Sequence, residues 1–140
     1  MIAYAESSAV LSWLLGEPEE PAVRRILGRA ERVVASTLTA VECARTLARG
    51  AGTGRLEATH ELAALRLLDE AAASWVTLEM TAPVLDRARE PFPAEPVRTL
   101  DALHLATAAL LQGSLGTLTM VSLDDRIRRN ARALGLRVAP

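Results

Sequence analysis

Four acidic residues lie where an apolar run or a loop passes into a helical pattern. Glu6 follows "MIAYA" and Asp124 follows "TLTMVS", while Glu42 and Asp101 lie near the starts of "TAVECARTLARG" and "TLDALHLATAALL". Two like charges about 4 Å apart repel by roughly 4 kcal/mol at an effective dielectric of 20. If the fold gathers these acids, they must bind protons or a cation. Oxygen ligands without histidine or cysteine favour Mg²⁺ or Mn²⁺.

The acids that follow the two apolar runs also have local structural explanations. Ser122 could cap the last helix and Asp125 could complete a capping box, which leaves Asp124 without a structural role. Glu6 has the weaker structural explanation, because glutamate is a poor helix cap and the serines after it would cap better. A role in chemistry therefore stays open for both residues.

The acids near helix starts have stronger structural alternatives. Thr39 and Glu42 match a capping box, and Arg45 could pair with Glu42 on the same helix face. Asp101 could complement the helix dipole and pair with Arg98. However, the helix after Asp101 is almost wholly apolar, so a carboxylate at its entrance faces either a cation or a large desolvation penalty.

The elements that must position these residues are short apolar runs separated by longer amphipathic stretches. Strands separated by helices of this length predict βαβ units and a mainly parallel sheet covered on both faces, in a single domain of residues 1–140. In such sheets all four acids lie at the edge formed by the carboxyl ends of the strands. The sequence predicts strands at 1–5, 32–36, 75–80 and 117–122, and helices at 7–15, 22–30, 39–50, 54–74, 81–90, 99–113 and 123–135, with a proline-rich loop at 90–97.

Composition excludes several functional classes. All 16 basic residues are arginine, whereas receiver domains and haloacid-dehalogenase-like phosphatases, which also cluster acids, use a catalytic lysine. Two glycine-rich motifs of nucleotide-binding proteins, G-x-x-x-x-G-K-[ST] and G-x-G-x-x-G, are both absent. Cys43 is the only cysteine, which excludes an internal disulfide and a multi-cysteine zinc site. A net charge of −1 by itself gives no sign of nucleic-acid binding. The sequence shows no signal peptide and no apolar run long enough to span a membrane, which predicts a cytoplasmic protein without a membrane partner.

The histidines and the cysteine are assigned structural or incidental roles. His104 lies one helical turn after Asp101 and could act as a base or a ligand. A lone histidine in an apolar helix is more often a hydrogen-bonded core residue, which is the interpretation favoured here. His60 and Cys43 are interpreted as structural or incidental.

Four stretches together resemble a PIN domain, and specifically the VapC-type toxins. They are "YAESSAVLSWLL", "STLTAVECAR", "RTLDALHLATAALL" and "VSLDDRIRRNARALGLRV". Their order and spacing match the family pattern over essentially the whole chain, and "RTLDALHLATA" is the most specific of them. The resemblance implies a three-layer α/β/α fold and a Mg²⁺-dependent endoribonuclease (Mn²⁺ being an alternative) that leaves a 5′-phosphate and a 3′-hydroxyl.

The resemblance also assigns roles to individual residues. Catalysis and metal binding fall to the four carboxylates, Glu6, Glu42, Asp101 and Asp124. Ser7 and Ser122 are expected to hydrogen-bond these carboxylates, and Arg98 and Arg126 to contact RNA phosphates. One residue departs from the family pattern, because the first acid is usually aspartate. The extra methylene of Glu6 moves its carboxylate by about 1.5 Å, and we expect an adapted site.

The implied partners are an RNA substrate, a cognate antitoxin and a second copy of the chain in a homodimer. An apolar face on the helices of residues 19–74 would be a candidate interface. Two alternatives remain open at this point. One is a catalytically degenerate PIN domain that binds RNA or protein, and the other is a purely structural or binding module.

Overall fold

The strands form because their apolar side chains alternate between two buried faces. The computed structural model describes residues 1–140. In β1 (Ile2–Ala5), Tyr4 packs into the core on one face, while Ala3 and Ala5 pack on the other. Burial on both faces is typical of a parallel sheet between two helical layers.

All neighbouring strands pair in parallel, in the order β3-β2-β1-β4-β5. The mainly parallel sheet predicted from the sequence is confirmed. The fifth strand was not predicted, because it has only three residues and begins with an exposed arginine. The other strands are β2 (Arg32–Ser36), β3 (Val76–Leu78), β4 (Leu118–Val121) and β5 (Arg137–Ala139).

Seven helices cover the two faces of the sheet, which confirms the three-layer α/β/α fold. The first four pack on the face that carries Ala3 and Ala5, and the last three pack on the face that carries Tyr4. No helix is both long enough and apolar enough to cross a bilayer. The helices are α1 (Ser7–Leu15), α2 (Glu20–Arg29), α3 (Thr37–Gly52), α4 (Ala58–Ala72), α5 (Ala82–Ala88), α6 (Thr99–Leu115) and α7 (Asp125–Ala133).

The strand order places a crevice between β1 and β4. From β1 the chain fills one side of the sheet with β2 and β3, and later fills the other side with β4 and β5. The backbone N–H of Glu6 donates to the carbonyl of Val121 at 3.1 Å, so the carboxyl ends of the two strands are adjacent. Ligands of open α/β sheets bind at such a switch point.

The proline-rich loop before α6 is fastened to α7 by the buried Asn130. The side-chain oxygen of Asn130 accepts from the N–H of Ala94 at 2.8 Å, and its amide group donates to the carbonyl of Ala94 at 3.0 Å. Glu95 stiffens the same loop by accepting from the backbone N–H groups of Phe92 and Val97. These bonds fix the loop from which α6 begins.

Candidate active site

Glu6 lies at the junction of β1 and α1 and is almost fully buried. It is the N-cap of α1, since its carboxylate accepts from the backbone N–H of Ser8 at 3.1 Å. The hydroxyls of Ser8 and Ser122 donate to its other oxygen, the latter at 2.7 Å. The expectation that the following serines would cap this helix is therefore wrong. The longer side chain folds back over its own helix start while reaching β4.

Glu42 lies in the second turn of α3, and its carboxylate contacts residues of α1 and α6. The helix begins at Thr37 with Ser36 as its cap, and Thr39 donates its hydroxyl to the carbonyl of Ala5 at 3.1 Å. The capping box predicted for Thr39 and Glu42 is therefore wrong. Oxygen Oε1 of Glu42 instead accepts from Ser7 Oγ at 2.7 Å and from His104 Nε2 at 2.6 Å, and the pairing with Arg45 does not form.

These contacts set the ionisation of Glu42. Partial burial raises the pKa of this carboxyl group, but the hydrogen bonds from His104 and Ser7 outweigh it and hold the pKa below the usual range. The positive charge of Arg98 acts in the same direction. Glu42 is thus kept as a carboxylate next to the crevice.

Asp101 and Asp124 share a guanidinium group. Arg98 Nε lies 3.1 Å from Oδ2 of Asp101, and Arg98 Nη2 lies 3.2 Å from Oδ2 of Asp124. Arg126 Nη1 also approaches Asp101 Oδ2, at 3.4 Å. The two arginines expected at RNA phosphates thus contact carboxylates here, and Arg98 bridges Asp101 and Asp124.

Asp124 also caps a helix, a role that the sequence pattern assigned to Ser122. It is the N-cap of α7, where its Oδ1 accepts from the N–H groups of Arg126 and Ile127 at 2.8 and 3.1 Å. Ser122 accepts from the N–H of Asp124 and donates to Glu6. The capping roles predicted for Ser122 and Asp125 are therefore wrong.

We name the four acids Glu6, Glu42, Asp101 and Asp124 the carboxylate rim. Ser122 links Glu6 to Asp124, and Arg98 links Asp124 to Asp101. Nevertheless, no group of three Asp, Glu, His or Cys residues converges closely enough to hold a metal ion between them. The donor chemistry, all carboxylate and hydroxyl oxygen, suits Mg²⁺ or Mn²⁺.

Three residues next to the carboxylate rim have roles that the sequence did not predict. Ser8 and Tyr4 were not predicted as site residues, and the partner of His104 was not foreseen. Ser8 binds Glu6 and accepts from the N–H of Leu123, so it joins the two strand ends. Tyr4 lies 2.9 Å from His104 Nδ1. His104 is a buried, hydrogen-bonded residue as expected, but its partner Glu42 was not foreseen. The signal in the sequence was weak, because Tyr4 and Ser8 are simply two positions on either side of Glu6.

The fold and the rim define a class of α/β proteins with acids at the switch point of a parallel sheet, and comparison with known proteins identifies the family. A PIN-domain family model matches residues 3–133. The chain belongs to the PIN-domain family. Within that family it is of the VapC type, as the sequence indicated.

Relatives of known name support this assignment, and solved structures share the fold. Ribonuclease VapC46 of Mycobacterium tuberculosis is 38% identical over 135 residues, covering 96% of this chain and 94% of that protein. Ribonuclease VapC47 of the same species is 35% identical, covering 94% and 91%. The fold is similar to M. tuberculosis VapC20, a toxin that cleaves the sarcin–ricin loop, with a TM-score of 0.67, 17% identity and full coverage of both chains. It is also similar to a chain of FitAB bound to a DNA fragment, with a TM-score of 0.64, 20% identity and coverage of 99% and 93%.

Proposed function

We propose that this chain is a metal-dependent endoribonuclease and the toxin component of a type II toxin–antitoxin pair. The observation that carries the proposal is the carboxylate rim at the switch point, where Asp101 and Asp124 already share one cation. The relatives named ribonucleases, at 33–38% identity over nearly the whole chain, support an RNA phosphodiester as the substrate.

In the proposed reaction, Glu6, Asp101 and Asp124 would hold Mg²⁺ or Mn²⁺, and Glu42 would bind a second ion or orient the attacking water. A bound ion of this kind polarises a phosphoryl oxygen and supplies a water of lowered pKa. The chain supplies the rest. The Ser122 hydroxyl holds the Glu6 carboxylate, and the Ser7 hydroxyl holds that of Glu42.

The two rim arginines would then contact the RNA backbone. The Arg98 side chain is two-thirds exposed and that of Arg126 is more than one-third exposed, so both can reach a phosphate at the crevice. A guanidinium group binds phosphate through two parallel hydrogen bonds, which also fix the orientation of the phosphate. We therefore assign substrate positioning to Arg98 and Arg126.

One observation favours a second candidate function. Because no three rim residues converge as they stand, the rim could belong to a degenerate PIN domain that binds RNA or a partner protein without cleaving it. Metal binding separates the two functions. A nuclease must bind a divalent ion at the rim, whereas a degenerate domain has no such requirement.

The deciding experiment is cleavage of a mixed RNA pool with Mg²⁺, with EDTA, and by a matched pair of variants. Asp124→Asn removes a rim charge but keeps an N-cap, since asparagine caps helices as well as aspartate does. Asp125→Asn makes the same substitution one residue later, at an exposed position without rim contacts. We expect Mg²⁺-dependent cleavage that is lost in Asp124→Asn and kept in Asp125→Asn. Equal activity in both variants, or cleavage that persists in EDTA, would contradict the proposal.

We further propose a cognate antitoxin and a homodimer as the protein partners. Exposed apolar side chains on α3 and α4, among them Val41, Leu62 and Leu67, offer contact surface. Light scattering of the purified chain should give twice its mass of 15.0 kDa. Expression of this chain alone should arrest the growth of the host cells. Co-expression with the antitoxin encoded next to it should restore their growth. A monomer, or growth unaffected by expression, would contradict the respective proposal.

A further inference from the structure

Tyr4, His104 and Glu42 form a continuous chain of hydrogen bonds beneath the carboxylate rim. Tyr4 Oη lies 2.9 Å from His104 Nδ1, and His104 Nε2 lies 2.6 Å from Glu42 Oε1. We propose that Tyr4 and His104 are positioning residues that fix the Glu42 carboxylate for the reaction at the rim. This inference rests on the proposed function and names residues that act through Glu42.

The polarity of the chain follows from what each group can donate. A carboxylate only accepts, so the hydrogen between His104 and Glu42 lies on Nε2. The Tyr4 phenol is the partner of the opposite nitrogen, Nδ1, at 2.9 Å. The Ser7 hydroxyl donates to the same oxygen of Glu42 at 2.7 Å. Two donors thus hold Oε1, while Oε2 accepts no hydrogen bond within the protein.

The arrangement is not a nucleophilic triad, although it contains a serine, a histidine and an acid. In such a triad the serine and the acid bind opposite nitrogens of the imidazole, which lets the ring relay a proton. Here Ser7 and Glu42 both approach Nε2, at 3.1 and 2.6 Å, and Tyr4 takes the opposite nitrogen. His104 therefore holds Glu42 in place and does not activate Ser7.

Burial shows that this effect must be indirect. Tyr4 is fully buried and His104 is 1% exposed, so neither side chain can touch RNA. The two rings meet edge to face, with centroids 5.9 Å apart, which fixes the plane of the imidazole. The chain of bonds also joins β1 to one helix from each layer, α6 and α3. It thereby sets the position of Glu42 relative to Asp101, one turn before His104 on α6.

The test compares three variants with a matched control. His104→Leu removes both nitrogens, His104→Gln restores a donor towards Glu42, and Tyr4→Phe removes only the phenolic hydroxyl. The control, Ser12→Ala, removes a buried hydroxyl that has no hydrogen-bond partner. Removing partners that orient a metal-binding group typically lowers activity or metal affinity about 10–100-fold. We expect such a loss of kcat in His104→Leu with little change in KM, a smaller loss in Tyr4→Phe, partial recovery in His104→Gln, and no change in the control.

Two further readouts do not depend on RNA cleavage. Mn²⁺ affinity, measured by electron paramagnetic resonance of the free ion, should fall in the same order as kcat. Nitrogen NMR of the imidazole of His104 should show a shift of the Nδ1 resonance in Tyr4→Phe. If His104→Leu does not fold, Tyr4→Phe decides the question, since it removes a single atom.

The outcomes separate this inference from the proposed function. If Glu42→Gln abolishes cleavage while Tyr4→Phe and His104→Leu retain the kcat and Mn²⁺ affinity of the unaltered protein, the positioning role is wrong and the nuclease stands. If the unaltered protein cuts no RNA, the proposed function is wrong. The Mn²⁺ affinities then still decide the positioning role, because an unchanged affinity in His104→Leu overturns it.

Discussion

Replacing Asn130 with alanine should destabilise the protein by an amount that its hydrogen bonds determine. Asn130 is fully buried and makes three hydrogen bonds, two to the backbone of Ala94 and one to the carbonyl of Arg126. Each such bond contributes about 0.5–1.5 kcal/mol net, so we expect a loss of roughly 2–4 kcal/mol in the free energy of unfolding. For a chain of this size that corresponds to a fall in Tm of about 6–15 °C.

Urea unfolding followed by circular dichroism measures the loss, and amide hydrogen exchange locates it. The N–H of Ala94 should exchange much faster in Asn130→Ala, because its acceptor is gone. Arg132→Ala, an exposed substitution on the same helix, is the control and should change stability little. A variant Asn130→Ala that unfolds within about 0.5 kcal/mol of the unaltered protein, with Ala94 still protected, would refute the reasoning that this side chain fastens the proline-rich loop.

Three more outcomes are expected, two at the carboxylate rim and one at the buried cysteine. Arg98→Ala should raise Mn²⁺ affinity roughly two- to fivefold, because an exposed ion-pair competitor is removed, and should raise KM for RNA; weaker Mn²⁺ binding would contradict this. Folding lowers the pKa of Glu42, so ionised Glu42 stabilises the folded protein. This contribution is fully present above the unfolded pKa of 4.5 and is lost as the pH falls through the lower pKa of the folded state. Stability measured by denaturant at low pH should therefore fall less steeply in Glu42→Gln, and equal slopes would contradict it. Burial raises the pKa of Cys43 to about 12, so Ellman's reagent at pH 8 should react far more slowly with the native protein than in urea; equal rates would contradict its burial.

The sheet and most of the helices were predictable because burial leaves a direct trace in the sequence. "MIAYA" is apolar throughout, and "TLTMVS" combines apolar residues with small hydroxyl residues and no charge, as suits strands covered on both faces. The third predicted strand shrank to Val76–Leu78, and Arg137–Ala139 was missed. Both are edge strands with exposed residues, so their pattern of burial is incomplete and their sequences carry little signal.

The helix caps were not predictable, because distant residues compete for the same hydroxyl groups. Ser7 donates to Glu42, Ser122 donates to Glu6, and Thr39 donates to the carbonyl of Ala5. Each hydroxyl that a local motif assigned to a cap serves a partner at least 34 positions away. Acids that the motifs left free, Glu6 and Asp124, took over the capping. Local capping rules failed where tertiary hydrogen bonds supplied a better partner.

The same limit applies to the candidate site. That four acids lie at one edge follows from the strand order, and this much could be predicted from the spacing of strands and helices. Which side chains bind one another could not, since His104 and Glu42 are 62 positions apart. The convergence of the rim on a metal ion stays a prediction, and so do the roles of its individual residues.

The central position of β1 determines when the site can form during synthesis. β1 is made before the other strands and can pair with β2 early, but its other neighbour, β4, begins at Leu118. The hydrogen bond from Ser122 to Glu6 spans 116 positions, so a nascent chain that ends before β4 lacks both Asp124 and the serine that holds Glu6. Such long-range pairing forms late because its loop-closure entropy is large. The acidic edge of this domain therefore stays incomplete until β4 and the residues after it have been made.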